Sequence, residues 1–81
     1  MSNLNTLHDI FIKVFPTATI PDNFADLRVG DFKEWDSLGN FNLLLAIEEA
    51  YGIRFDMEDM SSLKTVRDFS QRLASLGIVM E

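Results

Sequence analysis

Residues 35–52, WDSLGNFNLLLAIEEAYG, are the stretch whose reading decides the fold. Asp36 is a helix-capping residue type, Ser37 follows it directly, and the apolar run behind them has helical length. Gly52 is placed to end that run in a left-handed conformation, so the stretch predicts a helix from about Ser37 to Tyr51. If Ser37 were the N-cap, a backbone N–H of the first turn would engage its oxygen. If Asp36 caps, Ser37 falls at the first helical position with its hydroxyl free. The second arrangement is expected, and it presents one hydroxyl at the positive end of a helix, where a phosphate ester is electrostatically favoured.

This helix carries more apolar residues than a core helix needs. Leu43, Leu44, Ile47, Ala50 and Tyr51 suffice to bury one side. Leu38, Phe41 and Leu45 form a second stripe at helical spacing that begins beside Ser37. Periodicity leaves two readings open: the stripe is a docking surface, or the preceding connection folds over it.

Outward from this stretch the chain yields further helices. Leu4, Leu7, Phe11 and Val14, with Ile10 beside them, predict a first helix over about Asn3 to Val14, stopped by Pro16. From Pro16 to Trp35 no period is sustained, and Ile20, Phe24, Leu27 and Phe32 must pin this long connection to the core, with a helical turn allowed inside it. Beyond Gly52, residues 53–55 read as a short extended link. Asp56 caps a brief helical segment to about Ser61. Thr65 and Asp68 form a variant of the capping box that opens the last helix, whose Val66, Phe69, Leu73 and Leu76 share a face. Gly77 ends it, leaving Ile78, Val79 and Met80 as an apolar tail. No strand alternation or internal repeat competes with this all-α reading.

The chain has 81 residues, 47% of them hydrophobic, and no Cys. One small domain over residues 1–81 is expected, with helix packing as its support in place of disulfides or thiolate metal sites. Neither a leader pattern at Met1-Ser2-Asn3 nor a run of membrane-spanning length is present, so a cytoplasmic protein without membrane insertion is expected. The net charge is −6, and residues 36–60 hold six acids against one base. Such a surface repels phosphate backbones, which argues against nucleic acid, and attracts basic protein surfaces. For the charge alone, the better reading is that the acids keep a small domain soluble.

Asp36-Ser37-Leu38, the apolar helix behind it, Ala46-Ile47-Glu48-Glu49, the Ile53 link and the Thr65-Val66 opening of the last helix together resemble the acyl carrier protein family. The spacing matches without gaps from Asp36 to about Val66, and the first helix and long loop fit the family's order. The resemblance implies a four-helix acyl-carrier-like bundle with a long loop between helices one and two and a short third helix. It implies a carrier that is not an enzyme. Ser37 would bear a covalent 4'-phosphopantetheine arm, transferred from coenzyme A by a magnesium-dependent phosphopantetheinyl transferase, with Asp36 and Leu38 flanking the attachment. The arm's thiol would hold cargo as a thioester, which removes any need for Cys.

Partner recognition in this family uses an acidic and apolar face on helix two and the short helix after it. Carried over by position, that face comprises Asp36, Leu38, Phe41, Leu45, Glu48, Asp56 and Glu58, with Glu49 and Asp59 at its margin. The partners would be acyl- or aminoacyl-activating and synthase enzymes, and the carrier a monomer. The sequence departs from fatty-acid-synthesis carriers in its neutral Gly39, Asn40 and Asn42, and Trp35 and Gly39 look more like carriers of specialised lipid or secondary-metabolite pathways. Trp35 is also explained as a loop anchor against helix two. Seven Phe residues and Tyr51 make the interior bulky, leaving a short or expandable space for an acyl chain between helices one, two and four.

Other readings account for less. His8 is the one His and lies on helix one, which does not make a catalytic constellation. Asp56, Glu58 and Asp59 lack the ligand alternation and closing Glu of a calcium loop, and no metal site is expected. The alternatives are a general fatty-acid-synthesis carrier and an acidic helical adaptor that is never modified.

Overall fold

The computed structural model describes residues 3–79, apart from the side chain of Leu4. The described residues form four helices: α1 (Asn3–Val14), α2 (Ser37–Tyr51), α3 (Met57–Ser62) and α4 (Val66–Ser75). The expected Leu4 contribution to the first stripe, the Met1-Ser2 start and the Met80 end of the apolar tail lie outside what is described. The all-helical expectation holds, with no strand among the described residues beyond an isolated bridge pair, Arg28 with Thr65. None of these helices is long and apolar enough to cross a membrane.

Each helix boundary has a local cause. Gly52 takes φ 66°, and Glu48 O accepts from both the Gly52 and Ile53 amides, closing α2. Gly77 takes φ 92°, and the Gly77 and Ile78 amides turn back to Ala74 O and Leu73 O to close α4. At α3 the capping box is complete: Asp56 accepts from the Asp59 amide, and Asp59 from the Asp56 amide. At α4 the expected box is shifted by one residue. Thr65 Oγ1 accepts from the Asp68 amide (2.9 Å), but the Asp68 carboxylate accepts from Lys64 N (3.3 Å) instead of from Thr65.

The long connection forms no helix, only isolated hydrogen-bonded turns, closed by the Ala18, Leu27, Asp31 and Trp35 amides on the carbonyls three residues back. Phe24 is buried, and Ile20, Leu27 and Phe32 pack against the core. The His8 ring N–H donates to the carbonyls of Ile20 (3.2 Å) and Pro21 (3.1 Å), and its ring meets Phe24 edge-on at 5.0 Å. His8 is therefore a clamp between α1 and the connection. Further along, the Val29 amide donates to Lys64 O (2.9 Å) and the Val66 amide to Leu27 O (3.0 Å). These two bonds zip the connection onto the α3–α4 junction.

The centre is aromatic. Trp35, Phe11 and Phe69 are fully buried, with ring centroids 5.1–6.2 Å apart, and Phe15, Phe24 and Phe32 continue the cluster. No buried side-chain polar atom among the described residues lacks a hydrogen bond. Tyr51 reaches the start of α1, donating to Asn3 O (2.6 Å), and burial pushes its pKa up to about 12.

Two expected core positions are not buried. Ala50 is exposed because α1 and α2 diverge around a cleft of about 550 Å³ lined by residues that include Val14, Ala46 and Ala50. Leu76, the C-cap of α4, is 38% exposed, although its amide still donates to Arg72 O (3.1 Å). In the tail, Ile78 packs on the core while Val79 is exposed.

Candidate functional site

The start of α2 is fixed from both sides of Ser37. On the N-terminal side Trp35 is sunk into the aromatic centre with no exposed surface. Its indole Nε1–H donates to Asn40 Oδ1 (3.0 Å), and Asn40 Nδ2 donates to Leu63 O (2.9 Å). The relay ties the residue before the cap to the first turn of α2 and to the end of α3. On the C-terminal side the Gly39 backbone lies against the carbonyl of Glu34: a Cβ there would stand 2.2 Å from that oxygen and 3.1 Å from Phe15 Cε1. Only glycine fits.

Between these anchors Asp36 is extended (φ −96°), and its Oδ1 accepts from the Gly39 amide (2.8 Å). Asp36 is thus the N-cap and Ser37 the first helical residue. The Ser37 side chain is exposed and makes no hydrogen bond with another described residue. Its hydroxyl stands free beside first-turn amides that have no acceptor within the helix. Glu34, whose carbonyl faces Gly39, is exposed, and the Thr17 hydroxyl, followed by a backbone hydrogen bond, holds its carboxyl below the usual range.

The second stripe lies uncovered. Leu38 is 68% exposed, Phe41 47% and Leu45 43%, while Leu43, Leu44 and Ile47 are fully buried. The connection that could have folded over the stripe is held instead against α1 and the α3–α4 junction by His8, Phe24 and the bonds to residues 64–66. Met57, 89% exposed at the start of α3, is an apolar surface residue that sequence reasoning passed over. Nothing in local pattern separates it from Met60, which packs on the core.

The acids of the expected partner face have unlike environments. Asp56 and Glu58 are exposed, although Asp56 also caps α3. Glu49 is exposed at the α1–α2 cleft. Glu48 is half-buried, and its carboxylate accepts from the Phe55 amide (2.6 Å), bracing the 53–55 link. Asp59 is largely buried between α3 and α4, where it completes the capping box and pairs with Arg72 (3.1 Å). A capping role for Asp59 is legible in the sequence; its pairing with Arg72 and the bond from the Phe55 amide to Glu48 are not. No group of three or more His, Cys, Asp or Glu among the described residues could hold a metal ion.

Beside Ser37 a cleft of about 270 Å³ opens between the connection and α3, lined by Val29, Ser37, Asn40, Met60, Ser61 and Lys64. A free, exposed serine hydroxyl at a helix N-terminus, with open space next to it, is what a covalently attached phosphodiester requires.

Comparison with known proteins agrees with this geometry. A family model described as "Phosphopantetheine attachment site" matches residues 6–73. No curated protein and no solved structure gives a significant match. The chain belongs to the phosphopantetheine-attachment, or acyl carrier, family. Its members are carriers without catalytic activity of their own, bear 4'-phosphopantetheine covalently on a serine, and work with phosphopantetheinyl transferases and synthase enzymes.

Proposed function

We propose that in this member of the phosphopantetheine-attachment family Ser37 is the residue that carries the arm, and that residues 1–81 act as one carrier domain. The observation that supports this is the capping geometry. Asp36 takes the Gly39 amide, which leaves the Ser37 hydroxyl unbonded and exposed. The arm supplies a thiol that holds cargo as a thioester. The chain's own residues present the attachment point: Trp35, Asn40 and Gly39 hold the turn rigid, and the amides of the first turn face the added negative charge.

Partner enzymes dock, in this reading, on Leu38, Phe41 and Leu45, with Asp56 and Glu58 supplying charge and Glu48 at the edge. Between Asp36 and Glu48 there is no acid, so the first turns of α2 offer partners an apolar surface. Selection there rests on shape and apolar burial, with steering by Asp36 at the proximal end and by the acids of the distal end and α3. That neutral surface favours acyl- or aminoacyl-loading enzymes of a specialised lipid or secondary-metabolite pathway over the general fatty-acid machinery.

The test is intact-mass analysis after incubation with coenzyme A, magnesium and a broad-specificity phosphopantetheinyl transferase. One phosphopantetheine is expected on the wild-type chain and none on Ser37→Ala. Modification that persists in Ser37→Ala places the arm elsewhere and sinks the assignment.

A further inference from the structure

The cleft beside Ser37 contains one cation, and nothing in the carrier reading so far uses it. Lys64, at the α3–α4 junction, lines the same cleft as Ser37. Its backbone is held at both ends: its carbonyl accepts from the Val29 amide (2.9 Å), and its amide donates to the Asp68 carboxylate (3.3 Å). Its side chain is exposed and forms no ion pair with any described residue. The position is fixed and the ammonium is free.

The other polar groups of the cleft are already committed. Ser61 Oγ donates to Glu58 O (3.0 Å), and the Asn40 amide is turned inward between Trp35 and Leu63. Val29 and Met60 supply apolar wall. Charge completes the argument. A phosphodiester on Ser37 would add a negative charge next to Asp36, in the part of the chain where Arg54 is the sole base between residues 36 and 60. The Asp36 carboxylate already accepts from the Gly39 amide. A cation on the cleft wall offsets the added negative charge.

We propose that Lys64 is a positioning residue for the arm: its ammonium pairs with the phosphodiester on Ser37 and lays the proximal part of the arm into the cleft, against Val29 and Met60. This rests on the assignment of Ser37 as the attachment residue. The pairing is charge-assisted and solvent-exposed, so it weakens with added salt. It orders the arm; it does not create the attachment.

The experiment compares apo and phosphopantetheine-loaded chains by NMR, with the phosphorus resonance of the arm and the Lys64 Cε–Nζ resonances as readouts. Loading should displace the Lys64 side-chain resonances and slow exchange of its ammonium protons. Lys64→Gln should move the phosphodiester resonance toward its position in free pantetheine phosphodiester and abolish contacts between the arm's methyl groups and Met60. Lys64→Arg should restore both, and high salt should mimic Lys64→Gln. Superimposable apo spectra of the three chains establish that the fold is unchanged. If the arm loads, as judged by mass, but the Lys64 resonances do not move and the phosphodiester resonance is the same in Lys64→Gln, the inference is overturned and the Ser37 assignment survives. If no mass is gained, or it is gained on another residue, both fall together.

Discussion

The two faces of α2 run side by side for fifteen residues and obey opposite rules. The inner face buries Gly39 and the polar Asn40 together with Leu43, Leu44 and Ile47, while the outer face leaves Leu38, Phe41 and Leu45 in water. Hydrophobicity alone would have placed a leucine inside and an asparagine outside. The inner face is decided by partners: Asn40 is buried because Trp35 and Leu63 satisfy both ends of its amide, and Gly39 because the Glu34 carbonyl leaves no room for a side chain. The outer face stays free because no element of the described chain reaches it. A helix that is apolar on both sides uses one side for folding and, in the reading proposed above, the other for meeting partner enzymes.

Substitutions can break this comparison. The largest effect on stability is expected for Gly39→Ala, whose Cβ must displace either the Glu34 carbonyl or α2 itself, at a cost of about 3 kcal/mol by denaturant unfolding. A loss below about 1 kcal/mol would mean that the capping turn is more yielding than the geometry indicates. Asn40→Ala follows at about 2 kcal/mol, because it strands the indole N–H of Trp35 and the carbonyl of Leu63 in the interior. Folded Asn40→Ala protein should still accept the arm.

Glu48→Ala sharpens the boundary between the faces. Removing the carboxylate that accepts from the Phe55 amide should cost about 1 kcal/mol, so any fall in partner loading in this variant must be corrected for lost stability. Charge on this residue is not purely a docking charge. Leu38→Ala should have the smallest thermodynamic effect, within about 0.5 kcal/mol of wild type, since the side chain is mostly in water. Its KM for modification by the transferase should nevertheless rise. Unchanged loading kinetics with Leu38→Ala would remove the outer face from partner recognition.

Much of the fold was legible because its signals are local. Asp36, Asp56 and Thr65 cap through amides three residues ahead, and Gly52 and Gly77 stop their helices through left-handed geometry, so the element bounds follow from residues within one turn. Trp35 as loop anchor was legible for the same reason that any large aromatic in a long connection must find the core. Asn40 was not: its acceptor on Leu63 is 23 positions away, and no local pattern distinguishes it from the exposed Asn42. The neutral start of α2, which by sequence pattern reads as a sign of a dedicated pathway, has a packing explanation at Gly39 and Asn40, and of the three neutral residues Asn42 is the exposed one.

By itself the sequence determined four helices, the N-cap residues of α2, α3 and α4 and a free hydroxyl at Ser37, because each depends on hydrogen bonds that close within about four residues. Tertiary structure decided which apolar residues of α2 remain exposed, which acids are consumed internally, and that Lys64 and Ser37 line one cleft. Those outcomes depend on contacts between residues far apart in the chain. Only the completed packing specifies where such residues meet.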